Sequence, residues 1–181
     1  MNYFLITLAL LNMIFPTNLY LLLVRNKINN KKFPTSYSGT YSIWYNVAKA
    51  TGRHLEHIFT SWTNLECVSL AGLIWYSDNI WELGMSSIAL IALAIVGMFP
   101  TSVSKDVTKV HCIAAKICAL DAVVWLFLKG IYIPTLILLI GGLIWSRCFQ
   151  KKYETLIMEY MAFMSADIGV IICGLKALGV L

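Results

Sequence analysis

The sequence predicts an all-α membrane protein: a polytopic bundle of six transmembrane helices with an interfacial or re-entrant helix in the first connection. Composition, six apolar runs and the placement of positive charge predict this fold. Hydrophobic residues make up 59% of the 181 positions and charged residues 13%, whereas soluble domains carry about 25% charged residues. A small soluble domain has too much surface to cover with so few charges. The composition therefore excludes a soluble enzyme, a disordered tail and a nucleic-acid-binding module, and the expected partner is the lipid bilayer.

Six apolar runs approach the roughly 20 residues that a helix needs to cross the hydrocarbon core. The first run has no lysine or arginine before its apolar stretch and no small-residue cleavage site, so it is interpreted as a retained span rather than a signal peptide. We therefore expect one transmembrane domain, 1–181, with spans at approximately 3–24, 58–76, 83–99, 110–128, 131–145 and 156–180.

The connection between the first two spans contains an aromatic segment. Tyr37, Tyr41, Trp44 and Tyr45 recur at the spacing of one helical face. This pattern predicts an amphipathic helix within the segment 33–57 that lies at the membrane interface. An aromatic stripe that only packs against the bundle fits the same spacing.

A short turn, Lys129-Gly130, joins the fourth and fifth predicted spans and makes them antiparallel neighbours. Gly130 suits the left-handed residue that ends many helices, and Pro134 falls in the first turn of the next span, where its missing N–H costs little. Gly141 and Gly142 give the fifth span a small face that another helix can approach closely.

Positive charge is concentrated in alternate connections, which predicts the orientation in the membrane. Because positively charged loops stay in the cytoplasm, both termini are expected outside it, and we expect a bacterial inner membrane. Eleven of the fourteen basic residues lie on the predicted cytoplasmic side: Arg25, Lys27, Lys31, Lys32, Lys49, Arg53, Lys105, Lys109, Arg147, Lys151 and Lys152.

Three short motifs carry a family resemblance. The octapeptide PTSYSGTY at 34–41 has the pattern P-x-S-x-S-x-T-Y, VGMFP at 96–100 ends the third span, and V-H-x-x-A at 110–114 opens the fourth. In order and spacing these motifs are similar to those of a family of small, uncharacterised six-span membrane proteins of bacteria and their phages, distantly like the Frag/DRAM/Sfk group. The resemblance implies a six-helix membrane fold and no settled activity. It draws attention to Ser36, Ser38, Thr40, Tyr41, Pro100, His111 and Ala114.

Ionisable residues inside the spans supply the candidate binding site. A charge at the bilayer centre costs about 2.5–3.5 kcal/mol on insertion scales, so such side chains face a protein interior or water. Convergence of Glu66, Asp121 and Asp167 would form a polar core able to hold a cation or protons; pairing that only fixes helix packing is the alternative. Glu159 is expected to reach an interface. The predicted binding residues are Glu66, Lys116, Asp121, Asp167, Ser38 and Tyr41.

Helical geometry separates Lys116 from Asp121 by about 140° around their common helix. Lys116 therefore needs a partner from another span, and Glu66 or Asp167 is the predicted one.

Histidines supply an alternative, catalytic site. His54, His57 and His111 with a carboxylate would build a zinc site that activates water, and His111 and Asp121 are then the candidate catalytic residues. Motifs of nucleotide-binding proteins, zinc proteases and α/β-hydrolases are absent from the sequence. Outside this alternative no cofactor is predicted.

These observations lead to three hypotheses of function. The first is a non-enzymatic membrane protein whose polar core, centred on Asp121, binds or passes a small cation, a proton or a lipid head group. One form of this hypothesis is a homo-oligomer. The second is a membrane-embedded metal-dependent hydrolase of lipid amides or esters. The third is a structural or regulatory protein of a phage or bacterial envelope.

Overall fold

A computed structural model describes residues 1–27, 33–55, 57–99 and 104–181, apart from the side chain of Ser69. The secondary structure of these residues is helical, so the predicted all-α class is confirmed. Pro100, to which the family resemblance draws attention, lies outside the described residues.

The helices follow one another with short connections. They are α1 (Asn2–Ile14), a π-helical segment (Phe15–Leu19), α2 (Tyr20–Lys27), α3 (Thr40–Thr51), α4 (His57–Trp75), α5 (Ile80–Met98), α6 (Lys105–Leu128), α7 (Tyr132–Phe149), a 3-10 turn (Lys151–Tyr153) and α8 (Glu154–Ala177).

Five helices of the described chain are long and apolar enough to cross a membrane: Asn2–Lys27, α5, α6, α7 and Lys151–Ala177. The first of these runs through α1, the π-helical segment and α2. The remaining predicted span, the second in the sequence at 58–76, coincides with α4, which is as long as α5. Its first half is polar, with Thr60, Thr63, Asn64 and Glu66, and it is therefore not among the five.

The bundle is built around α4 and α8. Helices α1, α4, α6 and α7 all pack on α8, and α5 lies between α4 and α6. Trp125, Phe59 and Leu73 are fully buried at these contacts, whereas the outer faces expose many large apolar side chains, as lipid-facing surfaces do. Although α6 and α7 are joined by a short turn, α7 packs mainly on α8. A groove therefore remains beside α6.

The structure contains the predicted turn between α6 and α7 and the predicted close approach of another helix to the glycine pair of α7. Gly130 has a φ of +70°, and Pro134 is the third residue of α7. A Cβ added to Gly142 would lie 2.6 Å from Cγ of Met161 on α8. Gly141 faces open space, so one glycine of the pair forms the helix contact.

An ion-pair cluster ties α5 to the end of α6. Lys129 Nζ lies 2.9 Å from Glu82 Oε2 and also pairs with Asp78. Burial lowers the pKa of Lys129, but its hydrogen bonds to Asp78 and Glu82 outweigh burial and raise the pKa above the ordinary value. Lys129 therefore stays charged and compensates two acids at this end of the bundle.

Candidate functional site

Two buried acids converge on one amide group. Asn12 Nδ2 on α1 donates to Glu66 Oε2 at 2.8 Å and to both carboxylate oxygens of Asp167 at 3.1 Å. All three side chains are almost completely buried, with 4% exposure for Asn12 and 1% for each acid. The structure thus brings together two of the three carboxylates that the sequence singles out, one from α4 and one from α8.

The other predicted members of this core lie elsewhere. Asp121 is half-buried on α6 and makes no hydrogen bond or ion pair with the described residues. Lys116 is exposed on α6, and no described acid forms an ion pair with it. The polar core is therefore centred on Asn12, Glu66 and Asp167 rather than on Asp121, because the buried face of α6 carries Cys118, Ala122 and Trp125 and leaves Asp121 half exposed.

The π-helical segment Phe15–Leu19 borders this acid cluster. Pro16 has no N–H to donate along the helix, and π-helical turns occur often at functional sites. The hydroxyl of Thr17 in this segment lies 3.1 Å from both the Asn12 carbonyl oxygen and Glu66 Oε1. The irregular turn therefore supplies a further polar group to Glu66.

The motif loop, residues 33–39, is hydrogen-bonded to α8 and to the π-helical segment. Leu156 N–H on α8 donates to the Thr35 carbonyl at 3.0 Å, and Tyr37 N–H donates to Glu159 Oε2 at 2.7 Å. The Tyr37 hydroxyl donates to the Thr17 carbonyl at 2.9 Å. Burial, with a smaller effect of nearby Glu66, raises the pKa of the Tyr37 phenol above its usual value, so this group remains a donor.

Aromatic packing also holds the motif loop against the helices. The Tyr37 ring stacks on Trp62 with centroids 4.6 Å apart, and Trp62 stacks on Tyr20 at 4.9 Å. Tyr20 OH lies 2.5 Å from Thr40 Oγ1 and accepts from the Trp44 indole at 3.1 Å. Tyr41 is half-buried and contacts Phe59 edge-on. The motif residues thus anchor α3 against the bundle.

Ser38 and His111 form a hydrogen-bonded pair, although 73 residues separate them in the chain. Ser38 Oγ contacts His111 Nε2, and His111 Nδ1 lies 2.8 Å from the Phe99 carbonyl oxygen and 3.1 Å from that of Val96. Carbonyl oxygens only accept, so Nδ1 carries a proton. In the neutral imidazole Nε2 then bears the lone pair and accepts from the Ser38 hydroxyl.

A groove of about 470 Å³ runs between α6, α7 and α8. One end is polar, formed by Ser36, Ser38, His111, Lys116 and Glu159, with Thr155 and Glu154 alongside. The remainder is lined by small or apolar side chains: Ala115, Ala119, Val123, Leu139, Met158 and Ala162. The α6 residues from His111 to Val123 extend over about 18 Å of helix.

An apolar cavity of about 60 Å³ adjoins the polar end of the groove. The groove and the cavity share Ser38, Ala115, Ala119, Glu159 and Ala162. The rest of the cavity is mainly aromatic and aliphatic, with Phe59, Trp62, Leu70, Leu93 and Phe163 among its lining residues. The indole N–H of Trp62 is directed toward Glu66 and lies outside hydrogen-bonding geometry with the described residues.

The three histidines do not form a metal site in the described structure. His54 and His57 are exposed between α3 and the start of α4, whereas His111 is buried and bonded to Ser38. Across residues 1–27, 33–55, 57–99 and 104–181, no group of three or more His, Cys, Asp or Glu side chains is placed to hold a metal ion. The zinc hypothesis thus has no assembled ligand set there.

Three contributors to the site were missed from the sequence: Asn12, Thr17, and Tyr37 as a loop anchor. A signal existed for Asn12, because an amide within an apolar span needs a buried partner. Glu159, which the sequence predicts at an interface, lies between the loop, the groove and the cavity.

Comparisons of this chain with protein-family models, with curated protein sequences and with solved structures returned no match. Function is therefore inferred from the geometry of the site.

Proposed function

We propose that this chain is an integral membrane protein that binds a phospholipid in the groove between α6, α7 and α8. The observation that carries the proposal is the polarity of the groove: hydroxyl, imidazole and charged groups gather at one end, and apolar side chains line the rest. A volume of about 470 Å³ is within the usual range of ligand sites. A lipid matches this distribution, with its head group at Lys116 and Glu159 and an acyl chain beside Ala119 and Val123.

The charges of the groove favour a head group that contains phosphate. Lys116 is exposed and lines the groove, so its ammonium is available to the phosphate. Glu159 accepts the Tyr37 N–H through one oxygen, and its second oxygen is available to a cationic group of the same head group. Glu154, the other acid that lines the groove, forms an ion pair with Arg147, with 3.4 Å between Oε1 and Nε. Glu159 is therefore the acid assigned to the head group.

The proposal includes the orientation expected from the sequence. We propose that α4 crosses the membrane as a sixth span, that α3 lies at the cytoplasmic interface, and that both termini are outside the cytoplasm. The polar half of α4 supports this, because Thr63 and Glu66 are buried against other helices while Leu65 and Val68 are exposed. A bacterial inner membrane and a homo-oligomeric state remain predictions.

Native mass spectrometry of the protein released from nanodiscs tests the lipid proposal. The variant Ala119→Trp fills the groove, while Leu120→Trp adds the same bulk to the adjacent outer face, where Leu120 is 63% exposed. We expect wild type and Leu120→Trp to retain phospholipid and Ala119→Trp to lose about tenfold in affinity, which corresponds to about 1.4 kcal/mol.

Nanodiscs of phosphatidylethanolamine and of phosphatidylglycerol separate a zwitterionic from an anionic head-group preference. If Ala119→Trp is not monodisperse, Ala119→Leu replaces it. Equal lipid retention by monodisperse groove and outer-face variants would contradict the proposal.

A second candidate function is proton or cation binding at the acid cluster. Glu66 and Asp167 accept from the same nitrogen, so two carboxylates lie close together in a buried environment. Two neighbouring carboxylates repel each other when both are charged. A proton shared between them, or a cation bound between them, removes this repulsion. Infrared spectra should show the carbonyl band of a protonated carboxylic acid, and that band should disappear in Glu66→Gln/Asp167→Asn but persist in Asp121→Asn. A wild-type spectrum without the band, unchanged by sodium or potassium, would contradict this candidate.

A further inference from the structure

The Ser38–His111 pair has the arrangement of a nucleophile and its general base. The imidazole accepts the serine hydroxyl proton through Nε2, and its opposite nitrogen is fixed by the Phe99 and Val96 carbonyls at 2.8 and 3.1 Å. Serine nucleophiles need a base within hydrogen-bond reach and a third group that orients that base. Here two backbone carbonyls at the end of α5 take the orienting role.

The pair is placed where a lipid ester would reach it. Ser38 lines both the apolar cavity and the groove, and His111 lines the polar end of the groove. Both residues are shielded from bulk water, with exposures of 8% and 1%. In a bound phospholipid the ester groups lie between the head group and the acyl chains, and Ser38 lies between the polar end of the groove and the apolar cavity.

A donor for a developing oxyanion also lines the groove. Ser36 Oγ accepts the Gly39 N–H at 3.0 Å and keeps its own proton to donate. Donors directed at developing negative charge provide much of the stabilisation of acyl-transfer transition states.

We propose that Ser38 and His111 cleave an acyl ester of the phospholipid bound in the groove, an inference that rests on the proposed function. Ser38 Oγ attacks the ester carbonyl carbon while His111 Nε2 takes the hydroxyl proton. The tetrahedral intermediate expels the lysophospholipid alkoxide, which receives that proton, and Ser38 carries the acyl group. Water then attacks the acyl-serine with His111 as base, releasing the fatty acid and restoring the serine.

A long-chain alkyl fluorophosphonate tests the nucleophile without knowledge of the substrate. Attack by an activated serine forms an oxygen–phosphorus bond and releases fluoride. We expect a phosphonate adduct on Ser38 of the full-length protein in nanodiscs, located by peptide mass spectrometry. Ser38→Ala should abolish it, and His111→Gln should slow labelling about 100-fold or more, as expected for loss of a general base.

Ser42→Ala is the matched control, because Ser42 Oγ donates to the Gly39 carbonyl beside the same loop but contacts no histidine in the described structure. It should label like wild type. In parallel, phosphatidylethanolamine and phosphatidylglycerol vesicles containing wild type should release fatty acid, and those containing Ser38→Ala should not.

The outcomes separate this inference from the proposed function. Lipid retention without an adduct on Ser38 would overturn the catalytic inference and leave lipid binding standing. Absence of both would overturn both. An adduct formed as fast in His111→Gln as in wild type would overturn the role of His111, and if that variant is not monodisperse, the site of the wild-type adduct remains decisive.

Discussion

At the scale of single residues, the amide of Asn12 is the group on which the buried acids depend. Its Nδ2 is the donor shared by Glu66 and Asp167 at 2.8 and 3.1 Å. A buried acceptor deprived of its donor costs about 1–3 kcal/mol. We therefore expect Asn12→Ala to lower the free energy of unfolding by about that amount, measured by thermal unfolding in detergent.

Asn18 offers a matched control for this residue. It lies on the same continuous helix but is exposed, and its amide accepts from the Tyr160 hydroxyl at 3.1 Å and donates to the Met13 carbonyl. Because these bonds are exposed, Asn18→Ala should lower the melting temperature less than Asn12→Ala. Equal destabilisation by the two variants would show that the shared amide has no special role.

At the scale of helices, the approach of α7 to α8 depends on one glycine of a pair. A side chain at Gly142 meets Met161 Cγ at 2.6 Å, and one at Gly141 meets open space. Gly142→Ala should separate these helices and destabilise the protein by about 1–3 kcal/mol, as overpacking does. Gly141→Ala should be neutral or slightly stabilising, since alanine is the better helix former.

Thermal unfolding of the two glycine variants in the same detergent checks this contact. If Gly141→Ala is as damaging as Gly142→Ala, the packing of α7 on α8 described above is wrong.

At the scale of the whole molecule, the ends of the bundle differ in charge. One end of the bundle, where α2 and α5 end and α6 and α8 begin, carries many cations, among them Arg25, Lys49, Lys105 and Arg147. At the opposite end Lys129 is paired with Asp78 and Glu82. With the six crossings proposed above, this charge difference predicts that both termini lie outside the cytoplasm. Alkaline phosphatase fused after Leu181 should be active and the same fusion after Lys152 inactive in a bacterial host; the reverse pattern would contradict this orientation.

The sequence was sufficient for the helices and for part of the site. Apolar runs located the helices to within a few residues, because their length is fixed by the hydrocarbon core. Convergence of Glu66, Asp121 and Asp167 was one of two alternatives for acids that must avoid lipid, and Glu66 and Asp167 do meet at Asn12. Asp121 met the same criterion and lies apart, since a helical pattern gives the face of a residue but not the neighbour that covers it.

The Ser38–His111 pair shows the limit of motif reasoning. Both residues stand in the motifs on which the family resemblance depends, but nothing in the spacing connects a loop before α3 with the start of α6. Their contact results from how Tyr37, Glu159 and Leu156 hold the loop against α8. Such tertiary anchoring has no local sequence pattern.

Photo-crosslinking in living cells can detect a lipid in the groove without purification. Cells fed a fatty acid that carries a diazirine and an alkyne incorporate it into their phospholipids, and irradiation joins each lipid to the residues beside it. We expect peptide mapping after detergent washing to find adducts concentrated at the groove residues Cys112, Ala115, Ala119, Val123, Thr155, Met158 and Ala162, and to find them lost in Ala119→Trp. Adducts spread evenly over the exposed outer faces of the helices, and unchanged in Ala119→Trp, would contradict it.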